Sequence, residues 1–479
     1  MEAKTVLHAE NVLSRVISTD SDLIALLHEK LRFRPKDFWH NVQYKKKRWD
    51  GWQNFFDKKT GKFQTGLLPE VRALLKHQKV PYTFIDETTS VDWIHKEIDQ
   101  QFLDPWIPDG FNMESMHDFQ SSLANQAFKY NRGLIQAPTG AGKTLILISI
   151  LKSLPPKTPV LFLTKNSGLV HQNYKEMQAW GVENLGRWYA TYKEPNYIMC
   201  ATSHVKTFKS LGKLLPKFKV LLVDEVHECM SEVPIRNYKK MKSCCVRLGF
   251  SATPFKWNKK KIDEVHKWKV KGHFGPVFKT RTTKSGVLNT KELQERGILS
   301  KSNCSFYPIT HPDLAYEPYQ DAIKMGIEQN LHFHDIVKNL ARSQKGRTLI
   351  IVERLEQGDY LKSLMPEAHW IQGKDSLAVR EPVLEDLRIK DRVIAIIMKP
   401  IITAGINVKI HDLINAAGGE GAHSTIQIMG RGLRLADDKD VLDYHDFHFQ
   451  NNDYLRKHSE WRMEVLKQEG HNVVSKDLP

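Results

Sequence analysis

From about residue 130 the chain alternates short, wholly apolar runs with longer amphipathic stretches. "GLIQA" is followed by "KTLILISILKSL", then by "PVLFLT", "YIMCAT", "FKVLLVDE" and "VRLGFSAT". Apolar, β-branched runs of this kind suit strands of a parallel sheet covered on both faces. A second series starts near Thr348 with "TLIIV", "HWIQG", "VIAIIM" and "DLINAA". Two such series predict two α/β domains, separated by a basic connecting region between residues 256 and 300. The first hundred residues break the pattern. "RFRPKDFWHNVQYKKKRWDGWQNFFDKKTGKF" is dense in aromatics and lysine and predicts a small, separate α+β domain. The expected divisions are 1–105, 106–300, 301–450 and a helical tail at 451–479.

Composition narrows the function classes. The chain has 479 residues, which suits about three domains. Basic residues number 71 against 55 acidic, a net charge of +16. That excess points to a polyanionic partner, nucleic acid first, with a merely soluble basic surface as the bland alternative. Between Lys30 and Phe63 there are 11 basic residues against 3 acidic. Basic side chains there would neutralise phosphates and some aromatics would stack on bases, although most of the aromatics are expected in a core. The run Lys45, Lys46, Lys47 and Arg48 is expected to face DNA. A second patch, Lys256 to Lys284, holds 10 basic residues against 2 acidic and follows "SAT", where a loop would reach a duplex fork.

The five cysteines, Cys200, Cys229, Cys244, Cys245 and Cys304, include no C-x-x-C pair. They fit a reducing compartment and no structural metal. The 21 histidines show no paired metal-ligand spacing. The N-terminal stretch lacks the apolar core of a signal peptide. No apolar run approaches the about 18 residues of a membrane span, so no membrane partner is expected.

In "APTGAGKT" the turn after an apolar strand carries the first chemistry. Gly140 and Gly142 allow a tight curl whose N–H groups point inward. Lys143 is placed to reach nucleotide phosphates, and Thr144 to ligate magnesium. The following helix directs its positive end at the same point. Ala137 stands where the strict pattern has glycine. "KVLLVDEVH" ends another buried strand with Asp224, Glu225 and His227. A carboxylate there suits a magnesium shell, and its neighbour suits polarising the attacking water. A solvated strand end is the plain alternative, disfavoured because Asp224 lies 81 residues after Lys143 with several βα units between.

These motifs resemble helicase superfamily 2, in its DExH group. "DEVH" resembles motif II, "SAT" at Ser251 to Thr253 motif III, and "QIMGRGLR" from Gln427 to Arg434 motif VI. Gln120 in "MHDFQ" resembles the adenine-recognising glutamine. "VLFLTKNSGLVHQ" and "IMCATSHV" resemble the motifs that touch the nucleic-acid backbone. "TLIIVERLEQGDYL" and "KPIITAGINV" resemble motifs IV and V, the latter with Asn407 where many relatives carry an acidic residue. The resemblance covers residues 115 to 440. Outside it, the opening basic segment and the tail resemble those of phage repair and branch-migration helicases.

The resemblance implies an α/β fold: two RecA-like parallel-sheet motor domains preceded by the α+β DNA-binding domain. It implies ATP and Mg2+ as cofactors. Nucleotide contacts would come from Gln120, Ala137, Pro138, Thr139, Gly140, Ala141, Gly142, Lys143, Thr144 and Gly405. Magnesium would be held through Thr144 and Asp224. Lys143, Asp224, Glu225, His227, Gln427, Arg431 and Arg434 would serve catalysis, the last two from one helix face as arginine fingers. Backbone contacts to DNA would come from Lys165, Asn166, Thr202 and Lys256.

The expected activity is ATP-dependent unwinding or branch migration of forked and junction DNA in recombination, repair or replication restart, with 3′-to-5′ polarity. The expected setting is the host cytoplasm of a phage, with phage or host replication and recombination proteins as partners. The rival readings are a duplex translocase without strand separation, an RNA helicase, and a non-catalytic DNA-binding module.

Overall fold

The computed structural model describes residues 5–111, 115–258, 261–280, 288–403, 409–433 and 439–478. The chain divides into two compact units, residues 1–137 with 142–281, and residues 282–479 with 138–141.

The first unit holds two larger sheets. The N-terminal one has four strands in the order Lys62–Gln64, Leu13–Ile17, Thr5–Ala9, Tyr82–Asp86. Its last pair is parallel and the others antiparallel. Burial alternates along Thr5–Ala9, so one face meets the helices Ser21–Lys30 and Leu68–His77. Leu7, Val16, Leu27, Phe56, Phe63, Val71 and Leu75 fill the space between.

The second sheet of this unit has eight strands, ordered Tyr192–Glu194, Leu185–Tyr189, Ile198–Thr202, Val160–Thr164, Val220–Asp224, Val246–Ser251, Arg132–Gln136, Val277–Phe278. All neighbours are parallel except the first pair. Its central strands are buried along their whole apolar length, as the continuous apolar runs require. The helix Lys143–Lys152 is buried at every position from Leu145 to Leu151, which explains its lack of a polar stripe.

The second unit is a seven-stranded, all-parallel sheet. Its order is His369–Ile371, Val393–Met398, Arg347–Val352, Asp412–Asn415, Val441–Phe449, Lys301–Ile309, Asn472–Ser475. The two α/β series are therefore two RecA-like sheets, and the expected fold class holds.

The stretch from 256 to 300 is more than a connector. Residues Glu264–Phe274 form a helix whose Val265, His266, Val270 and Phe274 are buried. Trp268 stacks on Phe33 with ring centroids 4.8 Å apart, and Lys271 pairs with Glu70. The chain then adds Val277–Phe278 beside Arg132–Gln136. The middle of the second basic patch is thus a helix set between two cores instead of a loop: Val265 and Trp268 join the N-terminal core, and Val270 and Phe274 join that of the eight-stranded sheet, a pairing hidden in sequence by the intervening lysines.

Candidate functional site

The phosphate turn follows the strand Arg132–Gln136. Gly140 and Gly142 have φ of +84° and +74°, the left-handed region that glycine enters without strain. Gly142 is the N-cap of helix Lys143–Lys152, so Lys143 and Thr144 occupy its first turn. Ala137 and Ala141 are buried, while Pro138, Thr139 and Gly140 are half-buried. The Lys143 ammonium lies 3.4 Å from the Ala137 carbonyl, turned back over the loop it would serve.

Gln120 meets this turn from the helix Asp118–Tyr130. It is buried, and its Oε1 accepts from the His117 backbone N–H at 2.9 Å, closing a capping box. That bond fixes the amide, and its nitrogen would lie 2.3 Å from a Cβ placed on Gly142. Glycine at 142 is thus required twice, by conformation and by the glutamine.

The carboxylates stand two strands away. Val246–Ser251 lies between Arg132–Gln136 and Val220–Asp224, which sets those two strands about 10 Å apart. Asp224 ends its strand, and Glu225 follows with φ +44°. A non-glycine residue in that region is strained by about 1–3 kcal/mol, a cost met where a side chain must be aimed. Ser251 closes the arrangement. Its Oγ donates to Glu225 Oε2 at 3.1 Å and accepts from the Thr253 N–H at 3.1 Å. His227 Nδ1 lies 2.9 Å from the same Oγ. Since the single hydroxyl proton goes to the carboxylate, His227 Nδ1 carries a proton and donates it. His227 is itself 3% exposed, and its carbonyl accepts from His266 Nε2 at 3.0 Å.

Ser251 and His266 are the residues that reading the sequence left out of the site. "SAT" at the end of a buried strand signals the first. No pattern in the sequence signals His266, whose ring arrives from the helix Glu264–Phe274.

The residues expected to meet the DNA backbone are placed variously. Lys165 pairs with Glu228 at 2.9 Å, which ties the loop after Val160–Thr164 to the stretch after motif II. Asn166 caps the helix Ser167–Ala179, accepting from the Leu169 N–H at 3.0 Å. Thr202 is buried and shares a hydrogen bond of 2.7 Å with Thr207. Lys256 and Lys45, Lys46, Lys47 and Arg48 are exposed.

In the second unit, Gln427 and Arg431 lie four apart on the helix Ala422–Gly432 and share a half-buried face. Arg434, Gly405 and Asn407 lie outside the described residues. All five cysteines are free and buried. Burial pushes the Cys200 and Cys229 thiols up to about 12, so both are inert as nucleophiles near neutrality.

Residues 109–256 match the family described as "Type III restriction enzyme, res subunit". A DNA 3′-5′ helicase XPB of Kineococcus radiotolerans is 24% identical over 290 residues, 57% of this chain and 49% of that protein. The chain therefore spans about half the length of that curated relative. Among solved structures, T4 UvsW covers 99% of both chains at 17% identity, with a TM-score of 0.47. S. cerevisiae Dbp5, solved with RNA and ADP BeF3, covers 74% of this chain and 89% of its own at 14% identity, with a TM-score of 0.53, which shows the shared fold. With a matched family segment at residues 109–256, two RecA-like sheets and the ordered motifs around Lys143, Glu225, Ser251 and Arg431, the chain is similar to the helicases of superfamily 2.

Proposed function

We propose that the chain is an ATP-dependent DNA helicase that unwinds or branch-migrates forked and junction DNA. The observation that carries this is the Glu225–Ser251–His227 constellation, at the ends of the two strands next to the one that feeds the phosphate turn. Lys143 and the loop N–H groups hold the phosphates, and Glu225 orients the attacking water. Ser251 and His227 fix the carboxylate's position, so little reorganisation accompanies the reaction. Thr144 and Asp224 are hard oxygen donors of the kind magnesium takes, and they would hold it there. The ion, when bound, neutralises charge on the transferring phosphoryl group. Gln120 reads the base, with Gly405 as a further nucleotide contact. Gln427, Arg431 and Arg434 act on the γ-phosphate.

DNA as substrate and 3′-to-5′ polarity are supported by the name of the XPB relative, and a polyanionic partner by the net charge of +16. Residues 1–105 serve as a duplex- and branch-binding domain through Lys45–Arg48. Residues 106–300 and 301–450 are the motor domains, and 451–479 the tail. Backbone contacts come from Lys165, Asn166, Thr202 and Lys256. The work belongs to recombination, repair or replication restart, in a cytoplasmic setting, alongside phage or host replication and recombination proteins. No helix among the described residues is long and apolar enough to cross a membrane.

Strand displacement on forked and blunt substrates, run beside ATP turnover with DNA and with RNA, tests the proposal. ATP-driven displacement from forked DNA is expected. ATP-driven movement on duplex without displacement, or stimulation by RNA alone, would replace it with one of the rival readings.

A further inference from the structure

Residues 34–52 are nearly devoid of buried side chains, yet they hold five aromatic rings. Most of these rings are used internally. Two guanidinium groups lie over the Trp52 ring, Arg32 at 4.3 Å and Arg34 at 4.5 Å from its centroid. Phe38 is covered by Arg34 at 4.8 Å and by the edge of Tyr44 at 4.7 Å, and a side chain at Gly51 would strike it. Trp49 donates its indole N–H to the Trp52 carbonyl at 2.7 Å. Further along, Phe55, Phe56 and Phe63 belong to the core of the N-terminal sheet.

Trp39 is different. It is 48% exposed, the highest value among the tryptophans, and Val42 close by is 58% exposed. Its ring contacts are Phe38 at 5.3 Å and His40 at 5.9 Å, neither of them stacked face to face. Between residues 34 and 52 there are six basic residues, Arg34, Lys36, Lys45, Lys46, Lys47 and Arg48, against Asp37 and Asp50. All six are exposed. A short helix, Val42–Lys45, capped by Asn41, separates the tryptophan from the lysine run, and Lys47 takes a left-handed φ of +52° that ends it. An exposed indole beside a dense cationic run suits a strand whose phosphates are neutralised while a base face is offered a ring. A continuous duplex offers the cations their phosphates but buries its base faces in its own stack. Only an unpaired base or a strand end has a free face.

We infer that Trp39 stacks on an unpaired or terminal base of DNA while Lys45–Arg48 hold the flanking phosphates. This makes segment 34–52 a sensor of strand junctions as well as of duplex charge. It rests on the reading that residues 1–105 bind DNA.

The test compares full-length parent, Trp39→Ala, Trp39→Phe and the quadruple variant Lys45→Ala, Lys46→Ala, Lys47→Ala, Arg48→Ala. Each is titrated at several salt concentrations against a fork with 2-aminopurine at the junction and against a dumbbell duplex whose ends are closed by aromatic non-nucleotide caps stacked on the terminal pairs, so that it offers no unpaired base. Trp39→Ala should weaken fork binding about ten- to a hundredfold and lose the change in 2-aminopurine emission, with the salt slope and the dumbbell affinity unchanged. Trp39→Phe should keep most of both signals, since the ring remains. The quadruple variant should lose affinity for both DNAs, with a slope shallower by about 0.9 per lost phosphate contact. Equal fork affinity in Trp39→Ala and parent, or equal losses on fork and dumbbell, overturns the stacking inference. If the quadruple variant also matches the parent in affinity and slope, the DNA-binding reading of this segment fails with it.

Discussion

His227 and Ser251 are joined by a hydrogen bond of 2.9 Å between the turn after one strand and the end of its neighbour. The same Ser251 hydroxyl donates to Glu225, so motif III is linked through one oxygen atom to the carboxylate proposed to orient the water. Ser251→Ala removes that link and leaves Glu225 to find its own orientation. Hydrogen bonds to charged groups contribute about 1.5–3 kcal/mol. ATP turnover should therefore fall about ten- to a hundredfold, while ATP affinity stays near parental. Steady-state kinetics with a nucleotide-binding titration checks this. Unchanged turnover would mean that Ser251 only packs.

Lys143→Ala and Glu225→Gln should separate by their failures. In its proposed role Lys143 serves the phosphates, so its loss should cost turnover several powers of ten with folding and DNA binding retained. Glu225→Gln should bind ATP and stall. Arg431→Ala should also bind ATP near normally and hydrolyse slowly. A defect confined to ATP affinity in either of the last two would contradict the assigned roles, and an ATP-binding titration beside single-turnover hydrolysis distinguishes them.

Arg462 and Asp446 form a fully buried ion pair in the second unit, at 2.7 Å. Asp446 also accepts from Tyr444 at 2.6 Å and Asn415 at 2.9 Å, and Arg462 donates to the Gly419 carbonyl at 2.6 Å. Arg462→Leu leaves the buried carboxylate with neutral donors but no compensating charge. Removing one partner of such a pair costs about 3–5 kcal/mol. Urea unfolding of the variant should show that loss, and a change under about 1 kcal/mol would show that the carboxylate simply protonates or rehydrates.

His471 and His334 give the second unit a pH response. Burial pushes both down from 6.5 to about 4. Each therefore takes up a proton in the unfolded chain before it does in the folded one. Their contribution to stability is fully present above the ordinary histidine range and is lost as pH falls toward about 4. His471 Nδ1 also pairs with Ser302 Oγ at 2.7 Å, holding the tail against the strand Lys301–Ile309. Unfolding free energy should fall steeply between pH 6.5 and 4.5, and His471→Asn should flatten that slope by about one proton. An unchanged slope would contradict the assignment.

The motor sheets were legible because fully buried parallel strands leave continuous apolar runs. Val160–Thr164, Val220–Asp224 and Arg347–Val352 all stand where such runs predicted. Val441–Phe449 was not legible. Its "YHDFHF" carries no continuous apolar run, yet it is an interior strand paired along nine residues with Lys301–Ile309. The charge of Asp446 is compensated by Arg462, sixteen residues away on the helix Asp453–Gln468. No local periodicity records a partner at that distance. At the candidate site, Lys143, Asp224 and Glu225 announce themselves because their motifs are contiguous. His266 does not, because its role is a contact made by tertiary packing. In the first hundred residues, composition pointed to aromatics and cations together, and only the burial of Phe55, Phe56 and Phe63 against the exposure of Trp39 told core from surface.

The central claim is that this chain couples ATP hydrolysis to DNA. ATP turnover measured with single-stranded, duplex, forked and four-way DNA, for the parent and for Lys143→Ala, tests it most directly. Hydrolysis should be slow alone, rise with DNA, rise most with forked or four-way substrates, and vanish in the variant under every condition. Turnover that no DNA changes, or that survives in Lys143→Ala, would contradict it.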